Sequence, residues 1–181
     1  MIDNIVGSTK AKGDSVAYIY FDYKDREAHT GENVIRSLLK QLLLPMTLVP
    51  QALESLYDEF CSQSIIPDTS TFMEQLISTC AHYSSVSIIL DALDECGSET
   101  LDAVINLIRE LSRSSVKIFV TSRPHLSNLP SELEKPLILQ VEAQDDDVKN
   151  YLSVRLGKEW RYSEHLKSRI IYAIAQGTRG K

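Results

Sequence analysis

Three carboxylates, Asp91, Asp94 and Glu95, sit at the end of the segment SIILDALDEC that runs from Ser87 to Cys96. An apolar run that stops in clustered acids is how a parallel strand delivers hard oxygen ligands to the C-terminal edge of its sheet. Asp91, at the strand end, can hold Mg²⁺ directly or through a water while the cation bridges phosphate oxygens. Asp94 and Glu95 lie a few residues on, where Glu95 can orient or deprotonate an attacking water. The plainer alternative is that the acids cap the helix starting near Ser98. Capping explains one acid and leaves three in a row after a strand unexplained. A second segment, KIFVTSRP from Lys117 to Pro124, ends in Thr121 and Arg123. Arginine at that edge can reach a terminal phosphate as a charge-assisted fork donor and so report its presence. Alone, it reads equally well as a surface arginine in a turn begun by Pro124.

The phosphate cradle that such an edge requires is missing from the sequence. No G-x-x-x-x-G-K-[ST] loop occurs. Gly7 to Gly13 has glycines at the wrong spacing and precedes a strand, so it is expected to be a connecting loop. Gly177-Thr178-Arg179-Gly180-Lys181 imitates the end of a phosphate loop but follows a helix and lacks the final Ser or Thr. His29, His82, His125 and His165 share no spacing that would gather them at a metal, and no G-x-S-x-G elbow points to a serine hydrolase. A phosphohydrolase using Asp91, Asp94, Glu95 and Mg²⁺ alone would need a further acid cluster, which the sequence does not offer. Trp160 is assigned to packing.

The elements that must position these residues follow from periodicity. Ser15–Asp22, rich in β-branched and aromatic residues, predicts a strand, as do Ser87–Asp91, Val116–Thr121 and Leu137–Val141. Met1–Val6 reads as the last turns of a helix. Apolar residues at three and four predict amphipathic helices over Glu32–Leu44, Gln51–Cys61 and Thr71–Tyr83, the last opened by a Thr71/Glu74 capping box. A further helix follows Gly97-Ser98, with Leu101, Val104, Ile105, Ile108 and Leu111 as its buried stripe. Strand, helix, strand in alternation implies right-handed parallel crossovers. Beyond Ala143 the pattern is helical only, over Asp145–Leu156 and Ser163–Ala175. The expected division is an α/β domain over residues 1–142 and the start of a helical subdomain over 143–181.

With 181 residues and 43% apolar composition the chain can bury a proper core. A net charge of −6, with no basic stripe interleaved with aromatics, argues against nucleic-acid binding. The N-terminus has no signal-peptide pattern, and no apolar run reaches the eighteen or so residues of a membrane span. Cys61, Cys80 and Cys96 are odd in number and lack C-x-x-C spacing, which fits a reducing compartment. A cytoplasmic protein without membrane partners is the expectation.

In order and spacing, VAYIYFDYKD, NVIRSLLKQLL, SIILDALDEC, KIFVTSRP and AQDDDVKNYL resemble fungal NACHT-type modules of NOD-like receptors, members of the STAND class of P-loop NTPases. The resemblance implies a three-layer parallel sheet with helices on both faces, followed by the start of a small helical subdomain. By position it implies Asp91 as the Walker B acid on Mg²⁺, Asp94 and Glu95 as catalytic acids near the water, and Thr121 and Arg123 as nucleotide contacts. Mg²⁺ with ATP or ADP is the implied cofactor, GTP being the other nucleotide of the class. Such modules act as nucleotide-gated switches, resting with ADP and oligomerising with ATP. The departure is the central strand, Walker A loop and following helix, which the family carries upstream of the segment matched by Met1–Val6. In the family's sheet that strand lies between those ending at Thr121 and formed by Leu137–Val141, so the fold is expected to be incomplete and nucleotide binding weak. The implied partners are further copies of the chain or other NACHT-containing proteins. The alternative from a different class is a non-catalytic interaction or oligomerisation module derived from such a domain.

Overall fold

The computed structural model describes residues 13–25, 28–124, 126, 136–141, 144–158 and 161–177. The expected helix end Met1–Val6, the connecting loop before Gly13, Trp160 and the C-terminus after Gly177 lie outside the described residues, as does His125. The chain separates into two compact units, Met1–Pro136 and Leu137–Lys181.

The first unit is a mixed α/β fold with a parallel sheet of three strands flanked by helices, consistent with an incomplete P-loop-like or Rossmann-like architecture. Strand β1 (Asp14–Tyr20), helices α1 (Gly31–Leu43), α2 (Gln51–Gln63) and α3 (Thr69–Cys80), strand β2 (Ser85–Asp91), helix α4 (Ser98–Ser112) and strand β3 (Lys117–Val120) follow in chain order. Short 3₁₀ turns occupy Tyr23–Asp25 and Leu93–Glu95. The sheet order is β1-β2-β3, both pairings parallel. Register places Ala17 opposite Ile88 and Ile19 opposite Leu90, and puts Ile88 and Leu90 opposite Ile118 and Val120. Because side chains alternate across a strand, these residues share one face. That face packs with Val34, Ile35, Leu38 and Leu42 of α1, Leu76 of α3, and Val104, Leu107, Ile108 and Leu111 of α4 to form the core. On the opposite face Tyr18, Ile89 and Phe119 stand in one row, with Ile89 buried and the two aromatics exposed.

Local chemistry sets the helix boundaries. Thr30 caps α1, its hydroxyl accepting from Asn33 N–H at 3.2 Å. Gly31 then lies so close to α4 that an added Cβ would collide with Ala103. The Thr100 hydroxyl donates to the His29 carbonyl at 2.6 Å, fastening the same two elements. The expected Thr71/Glu74 capping box is not the start of α3. Asp68 is the cap, its carboxylate accepting from the Thr71 N–H (2.8 Å) and from the Thr71 and Ser70 hydroxyls (2.7 and 2.9 Å). Asp wins because its short carboxylate reaches the third amide of the helix while two neighbouring hydroxyls point the same way.

Gln41 of α1 folds back on the outer edge of β1. The Tyr18 N–H donates to Gln41 Oε1 at 3.0 Å, and Gln41 Nε2 donates to the Tyr18 carbonyl at 2.8 Å. A side-chain amide thereby stands in for a strand, satisfying backbone groups that an edge otherwise exposes. Helix α2 is peripheral: its expected face of Leu53, Leu56 and Phe60 is only half-buried, and Tyr57 is exposed.

The second unit contains α5 (Asp145–Gly157) packed on α6 (Glu164–Gly177). The expected strand Leu137–Val141 does not form, and Leu137, Ile138, Leu139 and Val141 are exposed. The apolar run is a strand signal, but a strand needs a neighbouring edge to bond, and no described strand pairs with this segment.

All three cysteines are free thiols. Cys61 is exposed, whereas burial pushes the Cys80 thiol up to about 11. Iodoacetamide at pH 8 is expected to label Cys61 in the folded protein and Cys80 only after denaturation, followed by mass spectrometry, because the thiolate is the nucleophile. Leu38 is wholly buried between helix and sheet. Leu38→Ala is expected to cost about 2–5 kcal/mol in urea unfolding, through lost transfer energy and the cavity left behind. The hydrogen bond from the Thr71 amide, followed by the two hydroxyl bonds, holds the Asp68 carboxyl below the usual aspartate range. A depressed folded value means the cap stabilises above the unfolded value and is lost as pH falls through the folded one. Asp68→Ala is accordingly expected to flatten the acid limb of a Tm-against-pH profile.

Candidate functional site

Asp91 is the last residue of β2, and its partner across the sheet is Tyr20. The next strand, β3, ends one register step away, where Leu90 pairs with Val120 and the Thr121 N–H donates to the Leu90 carbonyl at 3.0 Å. Parallel pairing puts all three strand ends on one edge, so Asp91, Thr121 and Arg123 meet there by topology.

Thr121 is the junction. Its hydroxyl donates to Asp91 Oδ1 and accepts from the Ala92 N–H at 2.9 Å. Its carbonyl accepts from the Leu93 N–H at 2.9 Å. Ala92 adopts left-handed backbone geometry, φ 56° and ψ 47°, which turns the chain sharply off the strand. A non-glycine residue there is strained, and the two Thr121 bonds on either side over-determine it. The turn sends Leu93 into the core and leaves Asp94 and Glu95 facing the β3 loop.

Arg123 spans those two acids. Its backbone N–H donates to Asp94 Oδ1 at 3.0 Å, its Nε lies 3.4 Å from Asp94 Oδ2, and its Nη2 donates to Glu95 Oε1 at 3.2 Å. Glu95 Oε2 accepts the Tyr23 N–H at 3.3 Å. Asp94 is nearly sealed, at 4% exposure, whereas the arginine is 70% exposed. The acids therefore staple the loops after all three strands together, a structural role beside the chemical one read from sequence. The Tyr23 amide could not have been foreseen, because it is a backbone donor 72 positions from its acceptor.

All five sequence-chosen residues lie at this edge, but their carboxylates do not share a focus: Asp91 faces Thr121, while Asp94 and Glu95 face Arg123. Among the described residues no three His, Cys, Asp or Glu side chains gather as a metal cage. One carboxylate beside one hydroxyl is nevertheless a hard oxygen set suited to Mg²⁺, which keeps most of its waters and takes further oxygens from a substrate phosphate. The phosphates themselves find no fit, because the described residues at this edge include no glycine-rich turn from strand to helix with converging N–H groups. His29, expected to be ordinary, stacks edge-on against Phe21 with ring centroids 5.6 Å apart, and His82 Nδ1 bonds its own helix at the Ser78 carbonyl. Among the described residues no helix is long and apolar enough to cross a membrane.

Thr121→Val keeps the shape and removes both hydroxyl bonds, leaving the Ala92 N–H unpaired. The expected cost is about 1 kcal/mol or somewhat more in denaturant unfolding. Arg123→Ala, which breaks an exposed ion pair, is expected to cost less than about 1 kcal/mol.

A family model described as nephrocystin 3, N-terminal, matches residues 1–123, a span that runs from the chain start through Arg123. No curated protein matches the chain.

Proposed function

The chain belongs to the nephrocystin 3 N-terminal family, and from that premise we propose that it is part of a NACHT-type nucleotide-binding switch module. The family assignment replaces the fungal receptor modules with a related N-terminal family. The observation that carries the proposal is the convergence of Asp91, Thr121 and Arg123 at the C-terminal edge of adjacent parallel strands, with Asp91 bonded to Thr121. That edge is where open α/β sheets bind ligands.

In this reading Asp91 holds Mg²⁺ through its oxygens or a bound water, and Thr121 fixes the carboxylate's orientation. Magnesium supplies charge neutralisation of phosphate oxygens when bound. Arg123, mostly exposed and held by two carboxylates, can turn towards a terminal phosphate as a fork donor. Asp94 and Glu95 hold that arginine in waiting, and Glu95, once released from it, is the residue proposed to orient water. The reading requires a phosphate cradle that no motif of the 181 residues supplies. ATP and ADP are the nucleotides proposed, with GTP as an outcome of the same test.

The second reading, a non-catalytic interaction module, draws support from the existing engagement of Asp94 and Glu95 with Arg123 and from the unguarded edge of β3. Titration calorimetry separates the two. The 181-residue chain is expected to bind MgATP weakly or not at all. The same chain extended by a strand, phosphate loop and helix from its parent gene or a close homologue is expected to gain a Mg²⁺-dependent rise in Tm with nucleotide, by mass action. Asp91→Asn should remove most of that Mg²⁺ dependence, and Arg123→Ala should reduce discrimination between ATP and ADP. An extended protein that folds and shows no nucleotide-dependent shift would leave the interaction module as the better account.

A further inference from the structure

Helix α1 is apolar on more than its core face. Val34, Ile35, Leu38 and Leu42 belong to the core, while Arg36, Leu39, Lys40, Leu43 and Leu44 follow one another at three and four along a second stripe. With Phe72 from the first turn of α3, that stripe lines an open groove of about 430 Å³. Leu39 is buried, Leu43 is half-buried, and Leu44 at the helix end is 71% exposed. All six lining residues belong to the first unit.

The groove carries charge of one sign. Its lining has two cations and no carboxylate, in a chain whose 25 acidic residues outnumber its 19 basic ones. Arg36 lies over the Phe72 ring, 4.4 Å from the centroid, which joins α1 to α3. Its Nη2 holds Glu32 at 2.6 Å and its Nε is buried without a partner, so the fork keeps donors for a second carboxylate. Lys40, one turn on, has no carboxylate partner among the described residues. An apolar groove two turns long with cations at its side suits a helix laid along it. A lipid surface is the poorer match, because recognition of anionic headgroups takes clusters of about four to eight cations.

We propose that this groove docks an acidic amphipathic helix of a partner protein. Apolar side chains of the partner at i, i+3 or i+4 and i+7 seat on Leu39, Leu43, Leu44 and Phe72, and carboxylates beside them pair with Lys40 and Arg36. Burial of the apolar anchors supplies the affinity, because exposed ion pairs contribute little to it. The two cations supply the choice of partner, since a basic helix with the same anchors meets like charge. The inference uses no residue of the Asp91–Thr121 edge and is independent of the nucleotide reading.

Two hydrocarbon-stapled helical peptides, titrated into the ¹⁵N-labelled full chain, test it. Both carry leucines at i, i+3 and i+7, one with glutamates and the other with lysines at the flanking positions. The glutamate peptide is expected to shift the Lys40, Leu43, Leu44 and Phe72 amides saturably and to bind about tenfold more tightly than the lysine peptide. Lys40→Glu should reverse that preference. Leu44→Asn should weaken both peptides alike, by about fivefold or more, through the lost anchor. Both substitutions lie at exposed positions, and an amide spectrum unchanged away from the groove verifies the fold. Equal affinity for the two peptides would overturn the proposal, as would shifts centred outside the groove, residues 137–181 included, or no saturable shift at about 1 mM peptide. Two further results would replace the partner helix and overturn it: tighter binding to phosphatidylserine vesicles than to the glutamate peptide, or a concentration-dependent dimer that Leu44→Asn abolishes, which would make the occupant a second copy.

Discussion

Everything at the candidate site depends on the parallel pairing of β2 with strands on both sides. The register that sets Tyr20 opposite Asp91 and Leu90 opposite Val120 ends three strands on one line. A slip of one residue would turn Ile88 and Leu90 out of the core and Ile89 into it, so the buried face enforces the register. Core packing and site geometry are therefore one constraint. The strand that carries the acid is also the most deeply buried, with Ile88 and Leu90 fully covered.

The edge it creates is tightened by bonds that cross between loops. Thr121 bonds Asp91 and the amide after it, Arg123 bonds Asp94 and Glu95, and Glu95 bonds the Tyr23 amide. These contacts fix the acids, with Asp91 turned towards a hydroxyl and the other two towards a guanidinium. Carboxylates, a hydroxyl and a guanidinium are thus preorganised at this edge of the first unit.

Much of this was legible in the residues. Apolar runs ending in acids marked β2 and its edge, and periodicity at three and four marked α1 and α4, because burial imposes those patterns directly. Leu107 was missed in the α4 stripe although it is buried, since a five-residue stripe undercounts a helix that packs against both the sheet and α1. Asp68 was overlooked because a Thr-x-x-Glu pattern three residues later mimics the same signal. The Leu137–Val141 strand failed for a different reason: propensity is local, whereas a strand exists only against a partner edge. Side-chain bonds over long separations, such as Gln41 on Tyr18, leave no local pattern at all.

The proposed function makes the Asp91–Thr121 edge one that takes a cation and a phosphate. Paramagnetic broadening by Mn²⁺, used in place of Mg²⁺ on the ¹⁵N-labelled chain, tests it most directly. Selective broadening of the Asp91, Ala92, Thr121 and Arg123 amides at low metal, abolished by Asp91→Asn, is the predicted result. Broadening centred instead on the acidic first turn of α5, Asp145 to Asp147, and unchanged by Asp91→Asn would contradict it.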